Sequence, residues 1–369
     1  MSQHQVAAKA LVDRQQADRS GAYRDSDDPC YGGNVTPSLP DPDYAEPFRA
    51  YLNYFEDLAG MIGGLYGLAE SLAAGVHDGV AAHPPTGRIQ RRVPDASRSA
   101  IIEQSFRKSW GTLRLLDAGV KDPESFVEVA NAWIPVQAYY SVYDAVRGFA
   151  AASDQNVPND HARALKLAGK EVVRGVLPAP WNAFCVGCPH TGDTRFGGLA
   201  TSDEPVPVLS SPDPSTSDDR LAMFLRTTRH KELDRRFAQE RQQDVKPGRT
   251  RRNLSRADKE RIAGRMPPTT LFDVLWRIRK KANYEDADTF VLGARDDTDA
   301  RRLAQALVIV TDGTVAALEA LAAAYVGPDL FATAAQAYAD RTQSDPKSAV
   351  GRRASSWQQR QRRAASRRE

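Results

Sequence analysis

Residues 297–325 read DTDARRLAQALVIVTDGTVAALEALAAAY, and this stretch decides the fold class. It is rich in alanine and leucine, which favour helix, and it is amphipathic at helical spacing, with Asp297 or Thr298 as the N-cap. The stretch that precedes it, LFDVLWRIRKKANY at 271–284, predicts the strongest helix of the chain. No strand-like alternation, hairpin dipeptide or internal repeat competes with helix elsewhere. The sequence therefore predicts an all-α fold, an antiparallel helical bundle.

Further helices are predicted before these two. Apolar residues recur at helical spacing after residue 46 and again over 101–116. Pro135 lies inside a third helical stretch and predicts a kink or a break there. Beyond it, VQAYYSVYDAVRGFAAA at 136–152 places tyrosines and apolar residues on one broad face. We therefore expect the bundle to span residues 46–342.

A long insertion divides this predicted bundle at about 153–267. Its stretch 177–215 is dense in Pro, Gly, Ser, Thr and Asp and lacks periodicity. It exceeds the roughly 12 to 15 residues at which an unstructured loop becomes uncommon in a compact domain, so it is either functional or disordered. The two ends of the chain, 1–45 and 343–369, are expected to be unstructured.

Composition favours a soluble protein of the cytoplasm. With 41% hydrophobic and 26% charged residues, the chain can bury a substantial core. No apolar run approaches the roughly 18 uncharged residues of a membrane span, and the N-terminus is charged where a signal peptide is apolar. Three cysteines argue against a disulfide framework and fit a reducing compartment. We therefore expect a cytoplasmic location and no membrane association.

The charge is distributed unevenly along the chain. The net charge is only +3, yet residues 246–265 carry +6 and residues 347–369 carry +7, which leaves an acidic remainder. Such asymmetry suggests a polyanion partner, although a solvated loop and tail explain it equally well. The best nucleic-acid candidates are the Arg-rich tail and the basic residues of the first segment, Arg249, Arg251, Arg252 and Arg256. Aromatic residues for base stacking are nearly absent there, so base-specific readout is not expected.

Two segments together resemble the HEPN superfamily of small helical bundles. The first is AYYSVYDAVR at 138–147, which resembles the tyrosine-rich helix of that family. The second is LWRIRKKANY at 275–284, which is similar to the later helix in which an arginine precedes a short spacer and a terminal tyrosine. The predicted helix at 297–325 stands where the family places its closing helix. The resemblance covers about 97–152 and 268–325.

The resemblance implies an RNA-directed protein of bacterial stress or defence, acting without a cofactor and often as a homodimer. In HEPN ribonucleases, an Arg and a His with four to six residues between them act on the RNA backbone. Arg279 matches that arginine, with Lys280, Asn283 and Tyr284 beside it, but Tyr284 occupies the place of the histidine. Since Tyr titrates near pH 10, it is a poor base at neutral pH. Whether the chain is an enzyme therefore stays open, and the alternative is a non-catalytic helical scaffold or ligand-binding module that engages a protein partner through its insertion.

Arg279 also has an ordinary structural explanation. Buried charges are normally paired, so the guanidinium could simply form an ion pair with Asp144, Glu285 or Asp286 inside the bundle. An Arg that faces solvent could instead bind a phosphate in bidentate fashion. The surroundings of Arg279 decide between these alternatives.

Cys185, Cys188 and His190 form a separate candidate site. Two thiols and an imidazole within six residues fit three ligands of a structural zinc ion. The fourth ligand would be His230, Asp193 or Cys30. Two ordinary loop thiols or a redox pair are the alternatives, and the redox pair would need a βαβ context that is not predicted.

Two other groups near the cysteines have a functional and an ordinary interpretation. The run RTTRHK at 226–231 could contact phosphate, but such runs are more often a solvated helix face. Trp181 and Phe184 could form an aromatic platform, but aromatic residues more often anchor a loop onto a core.

Overall fold

Apolar residues at helical spacing produce a helical bundle, as predicted. The computed structural model describes residues 42–67, 70–121, 127–201, 217–243, 253–285 and 287–366. Most of these residues are helical, and the strands among them form one small three-stranded sheet. The all-α prediction is confirmed.

The helices and strands are numbered in chain order. The helices of the described ranges are α1 (Pro42–Tyr66), α2 (Leu72–Ala82), α3 (Pro84–Gly87), α4 (Ala96–Lys121), α5 (Val127–Ala152), α6 (His161–Val173), α7 (Ser217–Gln243), α8 (Arg256–Arg265), α9 (Leu271–Lys280), α10 (Asp288–Leu292), α11 (Asp297–Val326), α12 (Pro328–Arg341) and α13 (Ala349–Ala365). The strands are β1 (Phe184–Cys188), β2 (Asp193–Gly197) and β3 (Thr269–Thr270), in the spatial order β2-β1-β3. A π-helical turn, Lys281–Glu285, continues α9.

Helix α11 is the centre of the bundle. Helices α1, α2, α4 and α5 pack against it, and its residues 310–323 are all buried. By length and composition it could cross a membrane, but 89% of its most apolar stretch is buried inside the protein. The core helix of a soluble protein passes the same composition test, so this helix says nothing about location.

The two segments that carry the HEPN resemblance lie side by side. Arg279 on α9 donates a hydrogen bond from Nη2 to Oη of Tyr140 on α5, at 2.8 Å. Helix α5 continues through Pro135, so the break that the sequence predicted as an alternative to a kink does not occur. Ile134 and Val136 on either side of the proline are buried. Their packing offsets the roughly 3 kcal/mol that a proline costs inside a helix.

The insertion is folded where the structure describes it. Helix α6 is followed by an antiparallel hairpin that pairs Phe184 with Gly197 and Cys188 with Asp193. The sequence prediction of no strands is wrong here, because the strand FCVGC lacks the alternation that marks a half-buried strand. Gly187 has φ +88°, and a Cβ there would lie 2.3 Å from the carbonyl oxygen of Asp193. The hairpin therefore requires glycine at this position.

Both ends of the described chain are more ordered than the sequence predicted. Helix α1 begins at Pro42, and residues 1–41 lie outside the described residues. At the other end, α13 forms over residues that were expected to be an unstructured tail. Its apolar side carries Val350, Ala354 and Trp357 into the core. Counting charges alone missed this amphipathic stripe.

A buried polar network anchors α13. Glu319 of α11 accepts hydrogen bonds from Nε1 of Trp110 at 2.6 Å, Nε of Arg353 at 2.8 Å and Nε1 of Trp357 at 3.3 Å. Nε2 of His77 lies 3.0 Å from the same carboxylate, and Arg353 also forms an ion pair with Asp312. Burial alone would raise the pKa of Glu319, but Arg353 and His77 lower it to about 2. The carboxylate is therefore charged and fully partnered.

Candidate functional site

Arg279 lies in an aromatic environment. The residue is 5% exposed. Its guanidinium carbon lies 4.8 Å from the ring centroid of Trp276, 4.9 Å from that of Tyr284 and 5.3 Å from that of Tyr140. Nη2 donates to Oη of Tyr284 at 3.2 Å as well as to Tyr140. Cation–π contacts and hydroxyl acceptors therefore surround the charge.

The expected ion pair between Arg279 and Asp144 does not form. Asp144 lies 3.7 Å from Arg147 instead, and among the described residues no carboxylate pairs with Arg279. The side chain of Glu285 and all of Asp286 lie outside the described residues. Nε of Arg279 is buried and has no hydrogen-bond partner within the described part of the chain. The guanidinium thus keeps hydrogen-bonding capacity that these neighbours do not use.

A histidine that the sequence analysis overlooked lies in the same cluster. His161 is the first residue of α6, where the side chain of Asp160 caps the helix by accepting from the backbone N–H of Arg163. The imidazole lies 4.7 Å from the ring of Trp276 and 5.8 Å from that of Tyr140, both of which also contact Arg279. Burial lowers the pKa of His161, and the charge of Arg279 lowers it further. His161 is therefore neutral at pH 7.

Tyr139 holds the imidazole in place. Its Oη lies 2.9 Å from Nδ1 of His161, and burial raises the pKa of the phenol well above its ordinary value. In the tautomer that carries its proton on Nδ1, the phenol oxygen accepts from Nδ1–H and Nε2 carries the lone pair. Among the described residues, none is hydrogen-bonded to Nε2. The imidazole is thus oriented at one nitrogen and available at the other.

Tyr284 covers the arginine. It lies on the π-helical turn, which also contains Asn283, and its side chain is 68% exposed. Single π-helical turns inside helices are frequent at functional sites. Of the catalytic residues expected from the sequence, Arg279 and Tyr284 are in contact, and Asn283 precedes Tyr284 on the same turn. A rotation of the exposed Tyr284 side chain would open the guanidinium to solvent.

A cleft adjoins this cluster on the other side of Trp276. It encloses about 690 Å³ between α6, α7, β3 and α9. Six basic side chains line its wall, compared with three acidic ones. The basic residues are Lys166, Lys231, Arg235, Arg236, Arg277 and Lys280, and the acidic residues are Glu232, Asp234 and Asp273. Burial raises the pKa of Asp273 to about 6. We call this the basic cleft.

Of the individually predicted nucleic-acid residues, Lys280 and Arg256 are described by the structure, and one of them lines the basic cleft. Lys280 does so. Arg256 instead begins α8, is exposed and pairs with Glu260 at 2.8 Å. Arg249, Arg251 and Arg252 lie outside the described residues, so their role stays a prediction.

The structure does not bring the two cysteines together with His190. Cys185 packs into the main core, whereas Cys188 packs with Leu233 and Phe237 in a separate apolar cluster. Residues three apart on a strand point to opposite faces, and this is why one knuckle cannot use both thiols. Both are free thiols, and burial raises the pKa of Cys185 to about 11.

The proposed fourth ligands also have different positions. Asp193 pairs with Arg195 at 3.5 Å, and Cys30 lies outside the described residues. His230 does lie beside His190, with the two rings stacked at 3.7 Å between centroids.

Arg229 and Trp181 have structural roles. Arg229 is buried and donates to the backbone carbonyls of Gly187 at 2.7 Å, Pro267 at 2.9 Å and Ala263 at 3.0 Å. It ties the hairpin to α7 and α8, so this arginine does not bind phosphate. Trp181 is buried and donates from Nε1 to Thr314 on α11 at 3.0 Å, which anchors the insertion to the central helix.

Comparison with known proteins identifies no relative. No family model matches the chain, and no curated protein or solved structure matches it. The HEPN relationship therefore stays a prediction from the two segments, and the function has to be inferred from the residues of this chain.

Proposed function

We propose that this chain is an endoribonuclease that needs no metal for catalysis, with Arg279 and His161 as its catalytic residues. One observation carries the proposal: a neutral, oriented imidazole and a guanidinium that pairs with no carboxylate among the described residues share the aromatic walls of Tyr140 and Trp276. The missing histidine of the HEPN motif is thereby supplied from a different helix. The basic cleft beside Trp276 provides a path for the RNA backbone.

The proposed reaction uses the 2′-hydroxyl of RNA as the nucleophile. Nε2 of His161 accepts the hydroxyl proton as the oxygen attacks the adjacent phosphorus. Arg279 neutralises the charge that develops on the phosphate oxygens, after Tyr284 has turned aside. The bond from phosphorus to the 5′-oxygen breaks, and that oxygen takes a proton from the imidazolium or from water. The products are a 2′,3′-cyclic phosphate and a free 5′-hydroxyl.

The test is cleavage of a labelled single-stranded RNA by the purified full chain in the presence of a chelator. We expect cleavage with cyclic phosphate ends, and no cleavage when the nucleotide before the cut carries a 2′-deoxyribose. His161→Ala and Arg279→Ala should each lower the rate at least about a hundredfold, in the range usual for general acid–base catalysis. His83→Ala and Arg114→Ala are the matched controls, because His83 contacts the carbonyl of Gly175 and Arg114 is exposed on α4, both outside the cluster. Equal rates in all four variants would mean a contaminating nuclease and would remove the proposal.

Covering of Arg279 by Tyr284 supports a second candidate function, RNA binding without cleavage. In that case the cleft binds RNA while Arg279 only stabilises the bundle. Tyr284→Ala separates the two candidates. Under the nuclease proposal it keeps or increases cleavage because it uncovers the guanidinium. RNA binding that depends on Lys166 and Lys280, with no cleavage by any variant, would establish the binding function.

A further inference from the structure

A second cluster of ionisable side chains lies where the hairpin meets α7. His190 belongs to the short 3₁₀ turn Pro189–Thr191 after β1, and His230 and Asp234 are one turn apart on α7. Nε2 of His190 lies 3.2 Å from Oδ1 of Asp234, and Nδ1 of His230 lies 3.1 Å from Oδ2. One nitrogen or oxygen atom of each residue lies within 4.8 Å of the other two.

We propose that His190, His230 and Asp234 bind one divalent transition-metal ion of the zinc type. Imidazole nitrogens and carboxylate oxygens bind Zn²⁺ at about 2.0–2.2 Å, so two ligand atoms of a tetrahedral ion are about 3.3–3.5 Å apart. The two nitrogen-to-oxygen distances come within a few tenths of an ångström of this value. These two distances run to different oxygens of Asp234, and the two ring planes are only 28° apart, so binding of one ion requires the carboxylate and the rings to turn toward a common point.

The local geometry fits a metal better than a simple ion pair. Nε2 of His190 is buried, and despite its distance from Asp234 it forms no well-aligned hydrogen bond within the described part of the chain. The imidazoles of His190 and His230 are stacked at 3.7 Å between centroids. Phe237 packs its ring against His190 at 5.0 Å and limits its rotation. A buried ring nitrogen without a hydrogen-bond partner among the described residues is therefore held in a constrained position.

This ligand set differs from the knuckle that the sequence suggested. It keeps His190, replaces both thiols, and takes two ligands from one face of a long helix, as residues four apart allow. Three protein ligands leave a fourth position, which is typical of zinc sites that bind water or a substrate oxygen. Asp234 also lines the basic cleft, so the proposed metal site borders that cleft. The inference does not rest on the chemistry proposed at Arg279.

The experiment measures Zn²⁺ binding by the full chain after chelator treatment, by competition with a zinc-sensitive dye and by elemental analysis. We expect one ion per chain. His190→Ala, His230→Ala and Asp234→Asn should each weaken binding at least about a hundredfold, since outer-shell changes alone cost 10- to 100-fold. Cys185→Ser, Cys188→Ser and His83→Ala should bind as the unchanged chain does. Unchanged circular dichroism of the His230 variant, whose side chain is 46% exposed, would separate lost binding from lost folding.

Replacing zinc with Co²⁺ adds a spectroscopic readout. A site of two imidazoles and a carboxylate should give visible d–d bands without the intense near-ultraviolet band of a thiolate ligand. Zinc bound equally well by all three ligand variants would overturn the proposal, as would a thiolate band that disappears in Cys188→Ser.

Discussion

Arg279 and His161 contact the same aromatic rings, and the charge of Arg279 affects the pKa of His161. Burial lowers the pKa of the imidazole, and the nearby guanidinium lowers it further. The protonated imidazole would place a second positive charge in a pocket of tyrosine and tryptophan rings, which solvate one cation well and two poorly. The same arrangement that holds the guanidinium thus also favours the neutral imidazole.

The first prediction follows from this coupling. Arg279→Ala should raise the pKa of His161, because it removes a positive charge and lets water into the cluster. Arg279→Lys keeps the charge and should leave the pKa low, which separates the charge from the change in burial. The measurement is an NMR titration of the His161 ring, assigned by its absence in His161→Gln. Identical titration curves in the Ala variant and the unchanged chain would show that the two groups are not coupled.

At the scale of single elements, α13 depends on one buried charge. Arg353 lies between Glu319 and Asp312 with no exposure, so its removal leaves two carboxylates without their cation. Breaking one partner of a buried ion pair typically costs about 3–5 kcal/mol. We predict that Arg353→Ala lowers the free energy of unfolding by about that amount, measured by urea denaturation. Arg362→Ala, on the exposed side of the same helix, should change it by less than about 0.5 kcal/mol.

Acid should also weaken this network. The pKa of Glu319 is depressed in the folded chain, so its contribution to stability is present above its unfolded pKa and is lost as the pH falls toward about 2. A flat dependence of the unfolding free energy between pH 5 and pH 3 would contradict this sign.

The hairpin gives a prediction with an internal control. Gly187 and Gly192 both have positive φ, at +88° and +80°, but a Cβ at Gly187 would clash with backbone whereas one at Gly192 meets nothing within 4 Å. Gly192→Ala should therefore lower the free energy of unfolding only by the strain of a left-handed residue, about 1–2 kcal/mol. Gly187→Ala should lower the free energy of unfolding by clearly more than Gly192→Ala does. In urea denaturation its unfolding midpoint should also shift further from that of the unchanged chain. Equal losses in the two variants would show that the hairpin relieves the clash by moving.

The elements show what the sequence could predict and what it could not. Helix periodicity and residue propensities predicted α5, α9 and α11, because their buried faces repeat along one segment. His161 was missed because its partner Arg279 is distant in sequence, so no local spacing records their approach. The expected zinc knuckle assumed a loop around Cys185 and Cys188, whereas a strand places them on opposite faces. The hairpin itself depends on Gly187 and on the short turn after it, which carry no alternating pattern.

At the scale of the whole molecule, a net charge of +3 conceals a local concentration of positive charge. The basic cleft gathers six Lys or Arg side chains against three acids, and Arg235 and Arg236 already pair with Glu232. Association with a polyanion depends on such local fields more than on the total charge. The proposed binding of RNA in the basic cleft can therefore be tested through the salt dependence of the RNA affinity.

The last prediction concerns that dependence. The logarithm of RNA affinity falls linearly with the logarithm of salt concentration. Each Lys that neutralises a phosphate of single-stranded RNA adds about 0.7 to the magnitude of that slope. Lys166 on α6 and Lys280 on α9 both line the cleft, so the double variant Lys166→Gln, Lys280→Gln should reduce the slope by about 1.4. The measurement is fluorescence anisotropy of a labelled RNA between 50 and 200 mM salt, with Arg114→Gln, exposed on α4 outside the cleft, as the control. If both variants gave the slope of the unchanged chain, the RNA would have to bind elsewhere, and the segment of Arg249, Arg251 and Arg252 would become the surface to test.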